Sequence, residues 1–391
     1  MYGLPENNNT VKNTSYKVAA EYSNIEFVDN LIIDAVKLRA SDIHLELYEN
    51  IFRVRFRIDG QLREIMNISK TRSTSIVSRI KILAGLDISE KRKPQDGRIK
   101  FNNGTSNIDV RVSTLPTGFG EKVVLRILDK SNVNIDAEEI GFNATQLKIL
   151  LDKIKLPYGL VLVTGPTGSG KTTTLYAALK EIHSVEKNIT TIEDPIEYNL
   201  QGINQCNVKH DIGFDFANAL RAFLRQDPDV IMVGEIRDKE TADVAIRAAL
   251  TGHLVFSTLH TNDSISAISR LIDMGIEPFL VAASLRLVIA QRLVRKLCSC
   301  QNQIEHKIGG DGQDSAGCAE CGGTGYKGRT AIFEFLEIND DLEGMISKNT
   351  SNIDIKNYLV QNDFTTLHQA GIEKIKQGIT SNEEVFRETQ T

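Results

Sequence analysis

The run Gly165-Pro166-Thr167-Gly168-Ser169-Gly170-Lys171-Thr172 is where this chain carries its clearest chemistry. Glycines at these spacings let backbone N–H groups turn inward and cradle phosphate oxygens. Lys171 is suited to reach the β- and γ-phosphates of a nucleotide, and the Thr172 hydroxyl to ligate Mg²⁺. The short apolar run Leu160–Thr164 precedes the loop and a helical pattern from Thr173 to Ile182 follows it. That strand–loop–helix context distinguishes a phosphate loop from a chance Gly-rich turn, and the helix N-terminus adds its dipole to the site. Together with Thr173, these residues are the expected ATP-binding set.

Binding is not hydrolysis, which also needs an acid near the metal and a group that orients water. Asp227–Asp238 offers one: Val230–Val233 reads as a buried strand, and Glu235 lies just past its carboxyl end, where open α/β sheets hold ligands. Glu193, Asp194 and Glu197 follow another apolar run as second candidates, although an acidic cluster after a strand is often only a solvated loop. His253 and His260 bracket the run Leu254–Ser257, and either could sense a γ-phosphate or be structural. Of the 5 Cys, Cys298, Cys300, Cys318 and Cys321 fall in one short stretch and Cys206 stands alone. In a reducing compartment such clustering argues for metal rather than disulfides.

These groups need elements to position them. Leu160–Val163, Ile189–Ile192, Val230–Val233 and Leu254–Ser257 are short apolar runs, mostly separated by helical patterns, which predicts a parallel sheet in an α/β domain. Before them, Asn24–Leu38 puts Phe27, Val28, Leu31, Ile32 and Ala35 on one helical face, and Ile51–Asp59 alternates Phe52, Val54, Phe56 and Ile58 with Arg53, Arg55 and Arg57. Ser73–Gly85 predicts a helix, Asn103-Gly104 a hairpin turn onto Ile108–Ser113, and Lys122–Leu128 a strand, giving an α+β domain. Phe279–Ala290 predicts an amphipathic or buried helix, and the end of the chain is helical over Ile353–Val360 and Thr366–Ile375. The expected organisation is a tail over 1–22, an α+β domain over 23–129, a linker over 130–136, an ATPase core over 137–297, a four-cysteine subdomain over 298–330 and a helical part over 331–391.

The formal net charge of -5, without a basic or aromatic-interleaved stripe, offers no attraction to nucleic acid. No apolar run is long enough to span a bilayer, and MYGLPENNNTVKNTS lacks the apolar core of a signal peptide. A cytoplasmic protein is expected, with membrane association only through partners.

At this point the chain resembles the secretion and pilus-assembly ATPases of the GspE/PilB type over about residues 35–390. The phosphate loop is followed by TIEDPIE (Thr191–Glu197), IMVGEIRD (Ile231–Asp238) and TGHLVFSTLHTN (Thr251–Asn262), similar to that family's Asp box, Walker B element and His box in order. SDIHLE (Ser41–Glu46), RFRIDG (Arg55–Gly60), PQDGRI (Pro94–Ile99) and DVRVSTLPT (Asp109–Thr117) resemble its N-terminal domain. The resemblance implies a RecA-like P-loop domain after an α+β domain, a small four-cysteine metal subdomain and a helical C-terminus. It implies a catalytic group of Glu235, Glu193, His260, Arg98 and Arg111, the arginines stabilising charge on the transferring phosphoryl group. Arg221, Arg225, Arg237 and Arg270 are further candidates for nucleotide or neighbouring-subunit contact, while Arg53, Arg55 and Arg57 are expected to be surface residues.

The resemblance further implies a homohexamer in which each ATP sits between a subunit's two domains, with the linker as hinge. The ring would drive an inner-membrane platform protein. Family members of the assembly type bind one Zn²⁺ through two Cys pairs, which points to Cys298, Cys300, Cys318 and Cys321; here the first pair is Cys-Ser-Cys where the family has Cys-x-x-Cys. The cysteines favour assembly or secretion over pilus retraction. The chain begins almost at the family's second N-terminal domain, which predicts either a short pilus-type member or a trimmed chain. A nucleic-acid motor and a nucleotide-gated scaffold without turnover are the competing readings.

Overall fold

The computed structural model describes residues 23–102, 107–128, 136–301 and 317–390. The expected tail, the Asn103-Gly104 turn and nearly all of the expected linker lie outside those residues. The chain divides into two compact units, residues 1–134 with 298–327 and residues 135–297 with 328–391.

In the first unit, α1 (Asn24–Lys37) starts at a capping box in which Ser23 and Glu26 satisfy each other's backbone N–H groups. It buries Phe27, Val28, Leu31, Ile32 and Ala35, the face expected from the sequence. The strands β1 (Ala40–Leu47), β2 (Ile51–Ile58), β3 (Gln61–Ser69), β4 (Gln95–Asn102), β5 (Asn107–Thr117) and β6 (Gly120–Leu128) form one sheet in the order β3-β2-β1-β6-β5-β4. Each neighbouring pair is antiparallel. One face packs Ile43, Leu45, Phe52, Val54 and Phe56 against α1 and α2 (Ser73–Ala84). Gly85 ends α2 in the left-handed region at φ 69°, as a helix C-terminus favours.

The opposite face is charged and internally paired. Buried Glu46 accepts from Arg55 at 2.8 Å and Arg53 at 3.1 Å and lies 3.3 Å from Lys122. Buried Asp42 lies 3.0 Å from Arg126 and 3.7 Å from Arg57. Arg53, Arg55 and Arg57 therefore point away from the core as alternation requires, each held by a carboxylate.

In the second unit, β7 (Gly159–Thr164), β8 (Ile189–Glu193), β9 (Asn204–Asn207), β10 (Val230–Val233), β11 (Leu254–Leu259), β12 (Leu285–Leu297) and β13 (Tyr326–Glu337) form a sheet ordered β13-β12-β7-β11-β10-β8-β9. The pairs from β12 through β9 are parallel. Both faces are covered. Leu160, Leu162, Ile231 and Val255 enter one core, while Val161, Val163, Met232 and Phe256 enter another. Strands buried on both sides read as unbroken apolar runs, which is how four of them were legible. The expected helix over Phe279–Ala290 divides: Pro278–Ser284 is helical, and from Leu285 the chain is β12, pairing with β7 at Leu160–Thr164. A short apolar run is ambiguous in period, and the open edge of β7 decides it. The expected C-terminal helices are found at Asn352–Gln361 and Leu367–Lys376.

Burial alone would raise the Glu46 pKa, but hydrogen bonds from Arg55, Lys122 and Arg53 outweigh it and hold the group at about 2, against its ordinary 4.5. A depressed carboxylate contributes stability above its unfolded pKa and loses it as pH falls through the folded value. Glu46→Gln should therefore destabilise the full chain by about 2–3 kcal/mol at neutral pH. Urea titrations followed by circular dichroism should show the difference from wild type shrinking between pH 4.5 and 2.

Candidate phosphate site and cysteine centre

After α3 (Ala144–Lys153), the phosphate loop leaves the carboxyl end of β7 and enters α4 (Lys171–Ile182). Gly165 has φ 150° and Gly170 φ 90°, both in the region only glycine enters freely. Space also excludes a side chain at Gly165, where a Cβ would lie 2.5 Å from the Gln291 carbonyl oxygen; a Cβ on Gly170 would lie 2.8 Å from Gln291 Nε2, so that side chain would have to shift. Buried Lys171 donates to the Gly165 and Pro166 carbonyls at 2.8 and 3.0 Å. Burial pushes its ammonium down to about 8, with Glu235 pulling the other way and Arg292 adding to the depression. Pro166, Thr167 and Gly168 form the exposed rim, while Ser169 is buried with an unpartnered hydroxyl. The Lys171 ammonium thus sits within the loop, where α4 also presents its N-terminal N–H groups.

Parallel register brings the other candidates to the same end of the sheet. Thr164 pairs with Leu259, and Val233 pairs with Ser257 and Ile192. Glu235 follows β10; its flanking backbone is pinned by Gly234 N–H donating to Ile192 at 2.8 Å and Ile236 N–H donating to Thr258 at 3.0 Å. Its half-buried carboxylate is ion-paired with Arg237 and lies 3.3 Å from His260 Nε2. Burial lowers the His260 pKa, helped by the Lys171 charge and opposed by Glu235. Glu235, His260, Lys171 and Arg237 are thus one electrostatic group.

Glu193 ends β8 and is buried, accepting from Thr191 Oγ1 at 2.6 Å, Gln205 Nε2 at 3.1 Å and the Tyr176 hydroxyl. Burial raises its pKa against those three donors. It ties β8 to α4, on which Tyr176 lies. Asp194 lies 3.6 Å from His210, and the Glu197 N–H donates to the Tyr176 hydroxyl at 3.4 Å. His253 is not brought to this group: it sits at the amino end of β11, its Nδ1 3.0 Å from the Ala248 carbonyl in the last turn of α6 (Lys239–Leu250), the helix that follows α5 (Phe216–Phe223) and β10. Arg221 pairs with Glu240 at 2.7 Å, Arg225 donates to the Arg221 carbonyl at 2.7 Å, and Arg270 is exposed near the end of the Ser264–Asp273 helix. In the first unit, Arg98, Arg111 and Arg126 lie side by side across β4, β5 and β6. Arg98 is exposed and its guanidinium has no ion-pair or hydrogen-bond partner among the described residues.

The four clustered cysteines converge, their sulfurs all within 4.8 Å of one another. Cys298 and Cys318 sulfurs are 3.7 Å apart, and Cys300 and Cys321 sulfurs 3.9 Å. No disulfide joins them. Four thiolates about 2.3 Å from one tetrahedral ion lie about 3.8 Å from each other, so the set fits a metal. The Gly325 N–H donates to Cys321 Sγ at 3.3 Å, and Arg63 donates to the Cys321 carbonyl at 3.2 Å, orienting the loop from outside. Cys206 stands apart in β9.

The sequence did not single out Thr174, Tyr176, Gln205, Thr261, Gln291 or Arg292, all of which touch the phosphate loop or its supports. Thr261 Oγ1 lies 2.6 Å from Thr164 Oγ1, at the start of the loop. Of these only Thr261 falls within a quoted motif, TGHLVFSTLHTN, whose histidines drew the attention; parallel register and burial make all six visible.

A phosphate loop at the carboxyl edge of a parallel sheet covered on both faces, with an acid beside it, defines a RecA-like P-loop ATPase. Residues 19–387 match the model described as "Type II/IV secretion system protein", and the chain belongs to that family. It is 50% identical over 390 residues to the type IV pilus assembly ATPase PilB of Myxococcus xanthus, covering 95% of this chain and 69% of that one. It is 50% identical over 377 residues to the type II secretion system protein E of Klebsiella pneumoniae, covering 94% and 76%. Among solved structures, the pilus retraction motor PilT with bound ADP is 30% identical with a TM-score of 0.64, covering 93% of this chain and 97% of that one. The ATPase DotB of Legionella pneumophila shares the fold at a TM-score of 0.71 and 22% identity, covering 93% and 95%. No helix among the described residues is long and apolar enough to cross a membrane.

Tyr176→Phe should leave buried Glu193 one donor short, lowering stability by about 1–3 kcal/mol. Calorimetric melting of the nucleotide-free protein reads the loss.

Proposed function

We propose that the chain is the cytoplasmic motor of a type IV pilus assembly or type II secretion machine. It would act as a homohexamer, bind Mg²⁺-ATP at Gly165–Thr173 and couple hydrolysis to movement of an inner-membrane platform protein. The observation that carries this is the grouping of Lys171, Glu235 and His260 at one sheet edge, in a chain half identical to pilus assembly and secretion proteins. Lys171 binds the β- and γ-phosphates, and Thr172 would hold the Mg²⁺ of Mg²⁺-ATP, which neutralises charge on the phosphate oxygens. Glu235 orients the attacking water. His260 answers to the γ-phosphate through its contact with Glu235. Arg98 and Arg111 stabilise the transferring phosphoryl group. Glu193 contributes by fixing β8 against α4, with Asp194 and Glu197 on the following turn. Arg237 is ion-paired with Glu235 and, like Arg221, Arg225 and Arg270, is a candidate for contact with nucleotide or a neighbouring subunit. Membrane association runs through partners, and nucleic acid is not a substrate.

Glu235→Gln should bind ATP about as well as wild type and hydrolyse it at least about 100-fold more slowly. Phosphate release and ATP binding are measured on the same preparation with the platform partner present. Unchanged turnover removes Glu235 from the chemistry, and strong stimulation of wild type by DNA would favour a nucleic-acid motor.

We further propose that Cys298, Cys300, Cys318 and Cys321 hold one structural Zn²⁺. Elemental analysis should give one zinc per chain, and Cys298→Ser with Cys318→Ser should abolish it. A full zinc content in that double variant would place the metal elsewhere.

A further inference from the structure

Two consecutive residues of β12 grip the phosphate loop from beneath. Gln291 is buried, and its Oε1 accepts a hydrogen bond from Thr174 Oγ1, in the first turn of α4, at 2.7 Å. Its Nε2 closes the space at Gly170 and its carbonyl oxygen closes the space at Gly165. One residue thus touches both ends of the loop.

Arg292 is 4% exposed. Its Nη1 donates to the Gln291 carbonyl at 3.1 Å and its Nη2 to the Asn262 carbonyl at 2.8 Å. Nη1 also lies 3.3 Å from where a Gly165 side chain would begin. Among the described residues no carboxylate reaches ion-pair distance; Glu388, Asp263 and Glu334 act only from further away. A buried guanidinium neutralised by nothing closer than carbonyl dipoles is costly, and an apolar side chain would fill the same space more stably. Its charge makes sense when the neighbouring loop holds an anion. Asn262 follows Thr261, which is hydrogen-bonded to Thr164, so Arg292 also links the loop to the segment that begins at His260.

We propose that Gln291 and Arg292 are positioning residues for the nucleotide phosphates. Gln291 sets the span of the loop between Gly165 and Gly170. Arg292 supplies a fixed positive potential behind the loop and ties it to the Thr261–Asn262 segment. The proposal rests on reading Gly165–Thr172 as the phosphate site.

The test uses the full chain, with Mg²⁺-ADP binding measured by calorimetry over a range of salt and melting measured without nucleotide. Arg292→Met keeps most of the bulk and removes the charge. It should weaken ADP about tenfold or more and flatten the salt dependence of binding, with the nucleotide-free melting temperature held or raised. Arg292→Lys restores the charge without the two-pronged geometry, so it should recover the salt dependence and only part of the affinity. Gln291→Glu keeps the acceptor for Thr174 and puts a negative charge under the loop; it should weaken ADP as well. Lys171→Ala separates the two readings. If Lys171→Ala binds ADP normally, the phosphate site itself is wrong. If it loses ADP while the Arg292 and Gln291 variants bind with wild-type affinity and salt dependence, this proposal alone fails. A lower melting temperature with unchanged affinity would also overturn it, and should Arg292→Met fail to fold, Arg292→Lys and Gln291→Glu still decide.

Discussion

The in-register parallel pairing of β7, β11, β10 and β8 is the constraint on which the site depends. Parallel strands all deliver their carboxyl ends to the same edge, and the register puts Thr164 beside Leu259, and Val233 beside both Ser257 and Ile192. The residues that follow those positions are the phosphate loop, His260, Glu235 and Glu193. A slip of one residue would reverse every side chain between the two cores, so Leu160, Leu162, Val161 and Val163 fix the register as firmly as any hydrogen bond. The apolar packing on both faces is therefore what places the polar chemistry.

That packing leaves charge stranded at the strand ends, and the structure handles each case differently. Glu193 is saturated with three donors. Lys171 rests on carbonyls. Glu334 accepts from the backbone and hydroxyl of Ser264 and from the Leu367 N–H, joining the His260 side of the sheet to a C-terminal helix. Arg295 is paired with buried Glu384 at 2.7 Å, fastening the last helix to β12. The pairs that fasten helices are closed, carboxylate to cation or carboxylate to N–H. Lys171 and Arg292, next to the loop, are held by carbonyl oxygens and not by a carboxylate, and the proposed role of Arg292 rests on that contrast.

Much of this was legible in the sequence because its signals were local. The phosphate loop shows itself in eight consecutive residues, the alternation in β2 by period, and β7, β8, β10 and β11 by length and apolarity. What stayed hidden depended on partners distant in sequence. Gln291 and Arg292 fall just beyond an apolar run that fits helix and strand equally, and only the open edge of β7 settles which. Tyr176 looks like one more apolar position of α4 until Glu193 is placed beneath its hydroxyl. Arg53, Arg55 and Arg57 were readable as outward-facing, but not as held by Glu46 and Asp42, since β1 gives no sign of its neighbours.

The cysteine centre shows how a departure in spacing can leave geometry intact. A Cys-Ser-Cys pair is too short to form the usual turn in which two sulfurs of one pair bind side by side. Here each cysteine of the first pair instead meets one of the second: Cys298 faces Cys318 and Cys300 faces Cys321. The turn closed by the Gln301 N–H donating to the Cys298 carbonyl at 2.8 Å keeps both first-pair sulfurs on one side. Cys318 and Cys321, spaced by two residues around the Ala319–Cys321 turn, supply the knuckle that the first pair lacks. Convergence then needs only one well-formed knuckle and a partner strand at the right distance, which the Cys298 N–H secures by donating to the Gly325 carbonyl at 2.8 Å.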